Sequence, residues 1–321
     1  MLVDPENLRH SPEMVGDPLS DVLSHLGARC VLAGGFTAGG TWAIRFPRPD
    51  AIKFGVIAEG SCRMRMDGLE PPLALEAGDV YFLKGDRSFD LFTDPGVAPD
   101  DAREVFSRAE GNMAQVGSGA DLLYLGGHVA LDERQRALLL NELPPLIHIA
   151  ASSEQAAGLQ WLVRELVVEA HQKRAGAELS TSHLAQLLFV RVLRAWLDRE
   201  EQVGAGWLRG LGDARIAPAL ALMHSDPGRP WQLTELARAV GMSRSVFATR
   251  FKAVVGMAPL GYLGAWRMRL AAQALERGTE PVAQIAETLG YTSVSAFSNA
   301  FKRVTGRAPK RFQSALKAGD G

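Results

Sequence analysis

Cysteine is nearly missing from this chain: Cys30 and Cys62 are the two in 321 residues. Two isolated cysteines make neither a disulfide framework nor a CxxC metal pair. No apolar run approaches the roughly 20 residues that a membrane-spanning helix requires. The opening stretch, MLVDPENLRHSPEMVGDPL, is acidic and carries prolines, with no basic segment leading into an apolar one, so no secretory signal is expected. Histidines are few and scattered; His148, His171, His183 and His224 stand apart at no metal-ligand spacing. These absences predict a cytoplasmic protein with no membrane partner, no metal and no cofactor. At 47% hydrophobic and 22% charged residues the composition is that of an ordinary globular protein, and 321 residues lead us to expect two domains.

What the chain does contain is one unit written twice. Leu236-Ala237, Gly241, Phe247, Phe251-Lys252, Gly256 and Pro259 recur as Ile285-Ala286, Gly290, Phe297, Phe301-Lys302, Gly306 and Pro309, offset by 49 residues up to the glycine and 50 after it. Register kept on both sides of one turn is the mark of a duplicated supersecondary unit. In the first copy Leu233, Leu236, Ala237 and Val240 share one helix face, Gly241-Met242 supplies the turn, and Ser243 is a natural N-cap for a second helix whose Phe247 and Phe251 pack back on the first. The second copy repeats this with Ile285, Ala286 and Leu289, a turn at Gly290-Tyr291, Thr292 or Ser293 as cap, and the pair Phe297 and Phe301. Each copy is a helix-turn-helix.

Charge is divided in the same place. Residues 210–321 hold 15 Lys+Arg against 7 Asp+Glu, a net of +8, which leaves 20 against 29 for residues 1–209, a net of −9. A basic helical domain on an acidic partner is the electrostatic footprint of a nucleic-acid binder, because neutralised phosphates release counterions. Only the outward face of each second helix can reach base edges. Its N-terminal half offers Arg244, Ser245, Ala248 and Thr249 in the first unit and Thr292, Val294, Ser295 and Asn299 in the second. Arg250, Lys252, Lys302 and Arg303 are placed to meet the DNA backbone.

The run from Trp231 to Phe312, with both turns, the linking RMRLA and the closing GRAPKRF, resembles the DNA-binding domain of AraC/XylS-family bacterial transcription regulators. The resemblance implies two helix-turn-helix units joined by a long helix, here from about Pro259 to about Gly278, with their second helices in successive major-groove segments on one face of the DNA. It puts the base-reading positions on Ser245, Ala248, Thr249, Val294, Ser295 and Asn299. It also implies promoter DNA and RNA polymerase as partners and a bacterial nucleoid location. Val294 can meet a thymine methyl and Asn299 can pair with adenine, which would favour an A·T-leaning second half-site.

After a helix expected over Leu19–Leu26, the acidic half becomes short β-like runs with turn signals at Gly39-Gly40, Asp67-Gly68, Ala77-Gly78-Asp79 and Gly126-Gly127, the pattern of a sandwich or barrel. In CRMRMDG, Cys62, Met64 and Met66 alternate inward with Arg63 and Arg65 outward. Together with LALEAGDVYFLKG and LLLNELPPLIHI, this half resembles the cupin at the N-terminus of some AraC-type regulators. Catalytic cupins hold a divalent metal with histidines where this chain has Lys53, Phe54 and Phe89, so a metal-free pocket for a small organic effector is expected instead. Trp42, Phe54, Met64, Met66 and Phe89 would line it, with His128 at its edge and Lys53 or Arg65 orienting an anion. Asp79 is expected to serve its turn through local hydrogen bonds.

Two helices should follow. Ser152 and Gln155 form a capping-box signature ahead of an apolar stripe from Leu159 to Ala170 that ends near His171-Gln172-Lys173. The second helix, capped around Ser180-Thr181, is apolar almost all round, so it requires two partners: the barrel or the preceding helix, and either more of the same chain or the matching helix of a second subunit in a homodimer. Glu200–Asp213, with four glycines in fourteen residues, reads as a linker. The expected fold is therefore α+β in two domains: a cupin-like β-barrel (1–150) with a helical coupling and dimerising segment (151–199), a linker (200–214), and an all-α double helix-turn-helix domain (215–321). The expected function is a sequence-specific DNA-binding transcription regulator, not an enzyme. Two competing readings are a cupin metalloenzyme carrying a basic helical domain and a DNA-repair regulator with an alkyl-accepting cysteine; the first lacks its histidines, the second its zinc-bound cysteine cluster.

Overall fold

The computed structural model describes residues 17–109, 111–132, 136–172, 174–199 and 205–318. Lys173, expected at a helix end, and residues 200–204 of the expected linker lie outside this set, as do residues 1–16. The chain forms two compact units, residues 26–202 and, together with the N-terminal helix, residues 203–321.

That first helix, α1 (Pro18–His25), buries Leu19, Val22 and Leu23. It packs against helices of the C-terminal unit. The strands are β1 (Arg29–Gly39), β2 (Ala43–Phe46), β3 (Ile52–Glu59), β4 (Ser61–Met66), β5 (Leu69–Glu76), β6 (Val80–Leu83), β7 (Phe89–Phe92) and β8 (Asp100–Asp101). A short helix α2 (Ala102–Ser107) precedes β9 (Met113–Gly117) and β10 (Leu122–Ala130), and the helix α3 (Ala137–Leu140) precedes β11 (Leu146–Ile149). One sheet has the order β11-β6-β3-β10-β1-β9 and the other β5-β4-β7-β2-β8. Their facing sides enclose a core containing Phe36, Ile57, Met64, Leu91 and Tyr124. As the alternation predicts, Cys62, Met64 and Met66 point into this core, whereas Arg63 is exposed and Arg65 half-buried.

Gly126-Gly127 is the turn signal that fails, since both residues lie inside β10, paired with β1 on one side and β3 on the other. These glycines are there for space. A Cβ on Gly126 would meet the Tyr124 ring and hydroxyl, and one on Gly127 would strike the Phe54 ring and the Val31 carbonyl. Strand glycines of this kind mark close approach as often as a bend. Asp79 does accept from the Glu76 amide within its turn, and it also accepts from the Ala151 amide and pairs with His148 Nε2 at 2.8 Å, fastening β11 to the turn before β6.

The outer face of the six-stranded sheet is covered by α4 (Ala157–Gln172) and α5 (Ala177–Leu197), with Phe54, Phe82 and Phe189 in one aromatic column. The capping box is replaced by a 3₁₀ turn over Glu154–Ala156, where the Ser153 hydroxyl donates to the Ala150 carbonyl. Helix α5 begins a turn earlier than Ser180, at a Gly176 cap with φ of +86°, and Thr181 instead donates back to the Ala177 carbonyl inside the helix. Its two apolar sides meet α4 and the β1 and β11 strands of the same chain. Leu179 and Leu187 on α5 and Trp161 on α4 remain exposed.

Six residues of the expected linker form a helix. In α6 (Trp207–Gly212), Trp207 and Leu208 are buried, and the Gly206 amide donates to the Val254 carbonyl. Gly210 sits where a Cβ would press on Leu220 and Val255, so this glycine answers to packing rather than flexibility. Then come α7 (Ala217–Ser225), α8 (Leu233–Ala239), α9 (Arg244–Val255), α10 (Pro259–Arg277), α11 (Val282–Thr288), α12 (Val294–Thr305) and α13 (Pro309–Ala318). Helix α1 packs on α6 and α7.

Candidate nucleic-acid interface and barrel cavity

Each repeat folds as the sequence predicts. Gly241 and Gly290 turn the chain at φ of +66° and +76°, a conformation an L side chain resists. Ser243 caps α9 by accepting from the Val246 amide, and Ser293, rather than Thr292, caps α12 by accepting from the Ala296 amide. Phe247, Phe251, Phe297 and Phe301 are fully buried. The opposite faces are bare. Arg244, Ser245, Thr249, Thr292, Val294, Ser295 and Asn299 are exposed and Ala248 is half-buried. Helix α10 spans Pro259 to Arg277 and ends on Gly278 at φ of +66°, the ends expected of the linking helix.

Sequence reading missed what holds the two units at one angle. A Cβ on Gly290, in the second turn, would strike the Gly228 carbonyl in the loop before α8. Arg267 of α10 donates to the Pro227 and Arg229 carbonyls of that loop and lies 5.8 Å from the Tyr291 ring centre. The second turn and the loop before α8 are thereby fixed to each other and to α10. The signal was present in the RMRLA motif, but nothing in the sequence names Arg267's partners.

Among the expected backbone contacts, Lys252, Lys302 and Arg303 are exposed and, among the described residues, form no ion pair. Arg250 differs: its Nη2 lies 2.7 Å from Asp213 Oδ2. The other oxygen of Asp213 accepts from the Arg215 and Ile216 amides at the start of α7. In the free protein Arg250 is therefore ion-paired with Asp213.

In the barrel a cavity of about 730 Å³ opens beside β3, β10 and α2. Of the residues expected to line a pocket, Lys53, Phe54 and Phe89 are on its wall. Trp42, Met64 and Met66 belong to the closed core between the sheets. His128 stands opposite Lys53 in the β3–β10 register, where burial and then the Lys53 charge lower its pKa. Arg65, expected near an anion, instead binds Asp90 together with Arg45, on β4, β7 and β2. Burial disfavours the Asp90 charge, but the hydrogen bonds from Arg45 and then Arg65 outweigh it and hold the carboxyl below its usual range. The wall also carries Arg48, Asp50, Arg103, Phe46, Phe106 and Tyr124, none of which the sequence pattern singled out.

Cys30 and Cys62 are buried, and desolvation pushes both thiols up to about 12, so neither is a thiolate at neutral pH. Among the described residues no group of three or more His, Cys, Asp or Glu side chains stands close enough to hold a metal ion.

Comparison with known families matches residues 17–198 to a cupin family and residues 236–315 to a helix-turn-helix domain family. A putative AraC-like transcription regulator of Streptomyces lividans is 43% identical over 293 residues, 91% of this chain and 96% of that protein. The HTH-type transcriptional regulator AlkR of Acinetobacter baylyi is 30% identical over 284 residues, 85% of this chain and 91% of that protein. Among solved structures, the DNA-binding domain of AdpA, the global transcriptional factor, in complex with a target DNA matches 32% of this chain and 92% of its own, at 29% identity and a TM-score of 0.31. A duplicated, basic helix-turn-helix following a cupin, in a chain aligned nearly end to end with an AraC-like transcription regulator, places this protein in the AraC-type family of DNA-binding transcription regulators.

Proposed function

We propose that α9 and α12 enter successive major-groove segments on one face of promoter DNA. Arg244, Ser245, Ala248, Thr249, Thr292, Val294, Ser295 and Asn299 read bases there, and Lys252, Lys302 and Arg303 hold phosphates. The observation that carries this reading is the repeat itself: two serine-capped helices whose first three residues are exposed, in a domain of net charge +8. Exposed amides at a helix start favour phosphate, and the first turn is the part that reaches furthest into the groove.

In the same reading a small organic effector occupies the metal-free cupin cavity and alters DNA affinity through α4 and α5, by as much as its own affinity differs between two arrangements of the protein. The protein works in the cytoplasm at the nucleoid, as a homodimer, with RNA polymerase as its downstream partner and no reaction of its own. The exposed Trp161, Leu179 and Leu187 are the surface we assign to the second subunit. The test is binding of the full chain to duplex fragments from its own genome across a salt series. Specific binding that weakens steeply with salt is expected; binding to no fragment would overturn the reading.

A further inference from the structure

Within the barrel, two phenols share one hydrogen bond. Tyr81 and Tyr124 lie with hydroxyl oxygens 3.0 Å apart, both buried, and among the described residues neither hydroxyl has another partner. The chain makes room for this pair. A Cβ on Gly55 would collide with the Tyr81 ring end and one on Gly126 with that of Tyr124, and Gly55 and Gly126 are themselves partners in the β3–β10 register. Burial holds both phenols protonated, well above their usual range. Two neutral hydroxyls carry two protons, and their mutual bond uses one. Tyr124 lines the cavity, so when Tyr81 donates to Tyr124, the Tyr124 proton is left for whatever the cavity holds.

The rest of the wall sorts by chemistry. Phe46 and Phe89 stack at 4.7 Å between ring centres and, with Phe106, offer aromatic faces. Arg48, Lys53 and Arg103 carry three positive charges against the single negative charge of Asp50, and among the described residues none of the three cations has an ion-pair partner. A pocket of this kind holds an apolar body by contact and fixes it with a few polar groups.

Resting on the effector reading above, we infer that the cavity takes an organic anion with an aromatic body, its acidic group held by Arg48, Lys53 and Arg103 and an oxygen acceptor on the body held by the Tyr124 hydroxyl. Neutral and cationic analogues of the same shape bind more weakly, since they bring no charge to balance the cations at the wall.

The experiment titrates the full chain calorimetrically with three probes: 4-benzoylbenzoate, its neutral carboxamide, and 4-benzylbenzoate, which keeps the charge but lacks the ketone. The benzoate is expected to bind at least tenfold more tightly than the carboxamide, with that advantage reduced severalfold in Arg103→Gln. Tyr124→Phe is expected to weaken 4-benzoylbenzoate several-fold and leave 4-benzylbenzoate unchanged, whereas Tyr81→Phe, which keeps the Tyr124 donor, changes either by less than twofold. A carboxamide bound as tightly as the acid would overturn the anionic class while leaving an effector cavity in place. Equal losses for both benzoates in Tyr124→Phe would reduce Tyr124 to a packing role and overturn the donor assignment. If none of the three binds at millimolar concentration, the inference fails together with the effector reading beneath it.

Discussion

Asp213→Asn should strengthen DNA binding, although Asp213 is not itself expected to touch DNA. In the free protein Asp213 holds Arg250 at 2.7 Å, with side-chain exposures of 11% for Asp213 and 41% for Arg250. Asparagine keeps the carbonyl oxygen that accepts from the Arg215 and Ile216 amides, so the start of α7 should survive while the charge is removed. The ion pair at this degree of exposure is worth no more than about 1 kcal/mol, so the fold should lose little. Arg250 is then free to meet a phosphate. One added phosphate contact steepens the slope of log K against log salt by about 0.9, which amounts to an extra ~3.5-fold loss of affinity between 50 and 200 mM salt. The assay is fluorescence anisotropy with one duplex across that salt range, run on the parent, Asp213→Asn, Arg250→Ala and Lys252→Ala. Because Arg250 is already committed, Arg250→Ala should cost much less affinity than Lys252→Ala. An unchanged slope in Asp213→Asn, with Arg250→Ala as damaging as Lys252→Ala, would refute the reasoning and return Arg250 to the DNA backbone.

Other perturbations follow from the same structure. Asn299→Ala and Thr249→Ala should each lose about 1–3 kcal/mol on the preferred site and relax its sequence, while Lys302→Ala should weaken all DNA about equally, as read by competition binding on randomised sites. Leu208 is fully buried in α6, so Leu208→Ala should destabilise the C-terminal unit by about 2–5 kcal/mol in calorimetric unfolding, and a fragment starting at residue 215 should be less stable than one starting at 205. Asp90 has a depressed pKa in the fold, so its stabilising effect is present above the carboxyl's unfolded pKa and is lost as pH falls through its folded pKa. Asp90→Asn should accordingly cost the barrel about 1–3 kcal/mol at neutral pH and flatten its acid unfolding curve, as followed by thermal denaturation against pH.

The helix-turn-helix half was legible in the sequence because its determinants are local. Gly241 and Gly290 in their turns, Ser243 and Ser293 at their caps, and the phenylalanine pairs four residues apart each act within a few positions, and the duplication repeats them. The strand alternation of Cys62, Met64 and Met66 was legible for the same reason. What escaped was set by distant partners. Gly126-Gly127 reads locally as a turn, yet it is a strand interior emptied to admit Tyr124 and Phe54. The glycines between Glu200 and Asp213 read as slack, yet Gly210 is pressed against Leu220 and Val255. Arg65 alternates outward as predicted, but its destination is Asp90, 25 positions along the chain. The cavity wall was half visible through Lys53, Phe54 and Phe89, whose interest came from a comparison with metal-binding cupins, while Arg48, Arg103 and Tyr124 come from a loop, a helix and a distant strand that the pattern did not join.

The central claim is that one chain reads two adjacent DNA segments with two related helices. Hydroxyl-radical footprinting of the full chain on its tightest genomic site tests it most directly, run in parallel with Thr249→Ala and Asn299→Ala. Two protected segments for each bound chain, about one helical turn apart on the same DNA face, are predicted, with Thr249→Ala fading one and Asn299→Ala the other. A single protected segment for each bound chain, or one that both substitutions weaken alike, would contradict it.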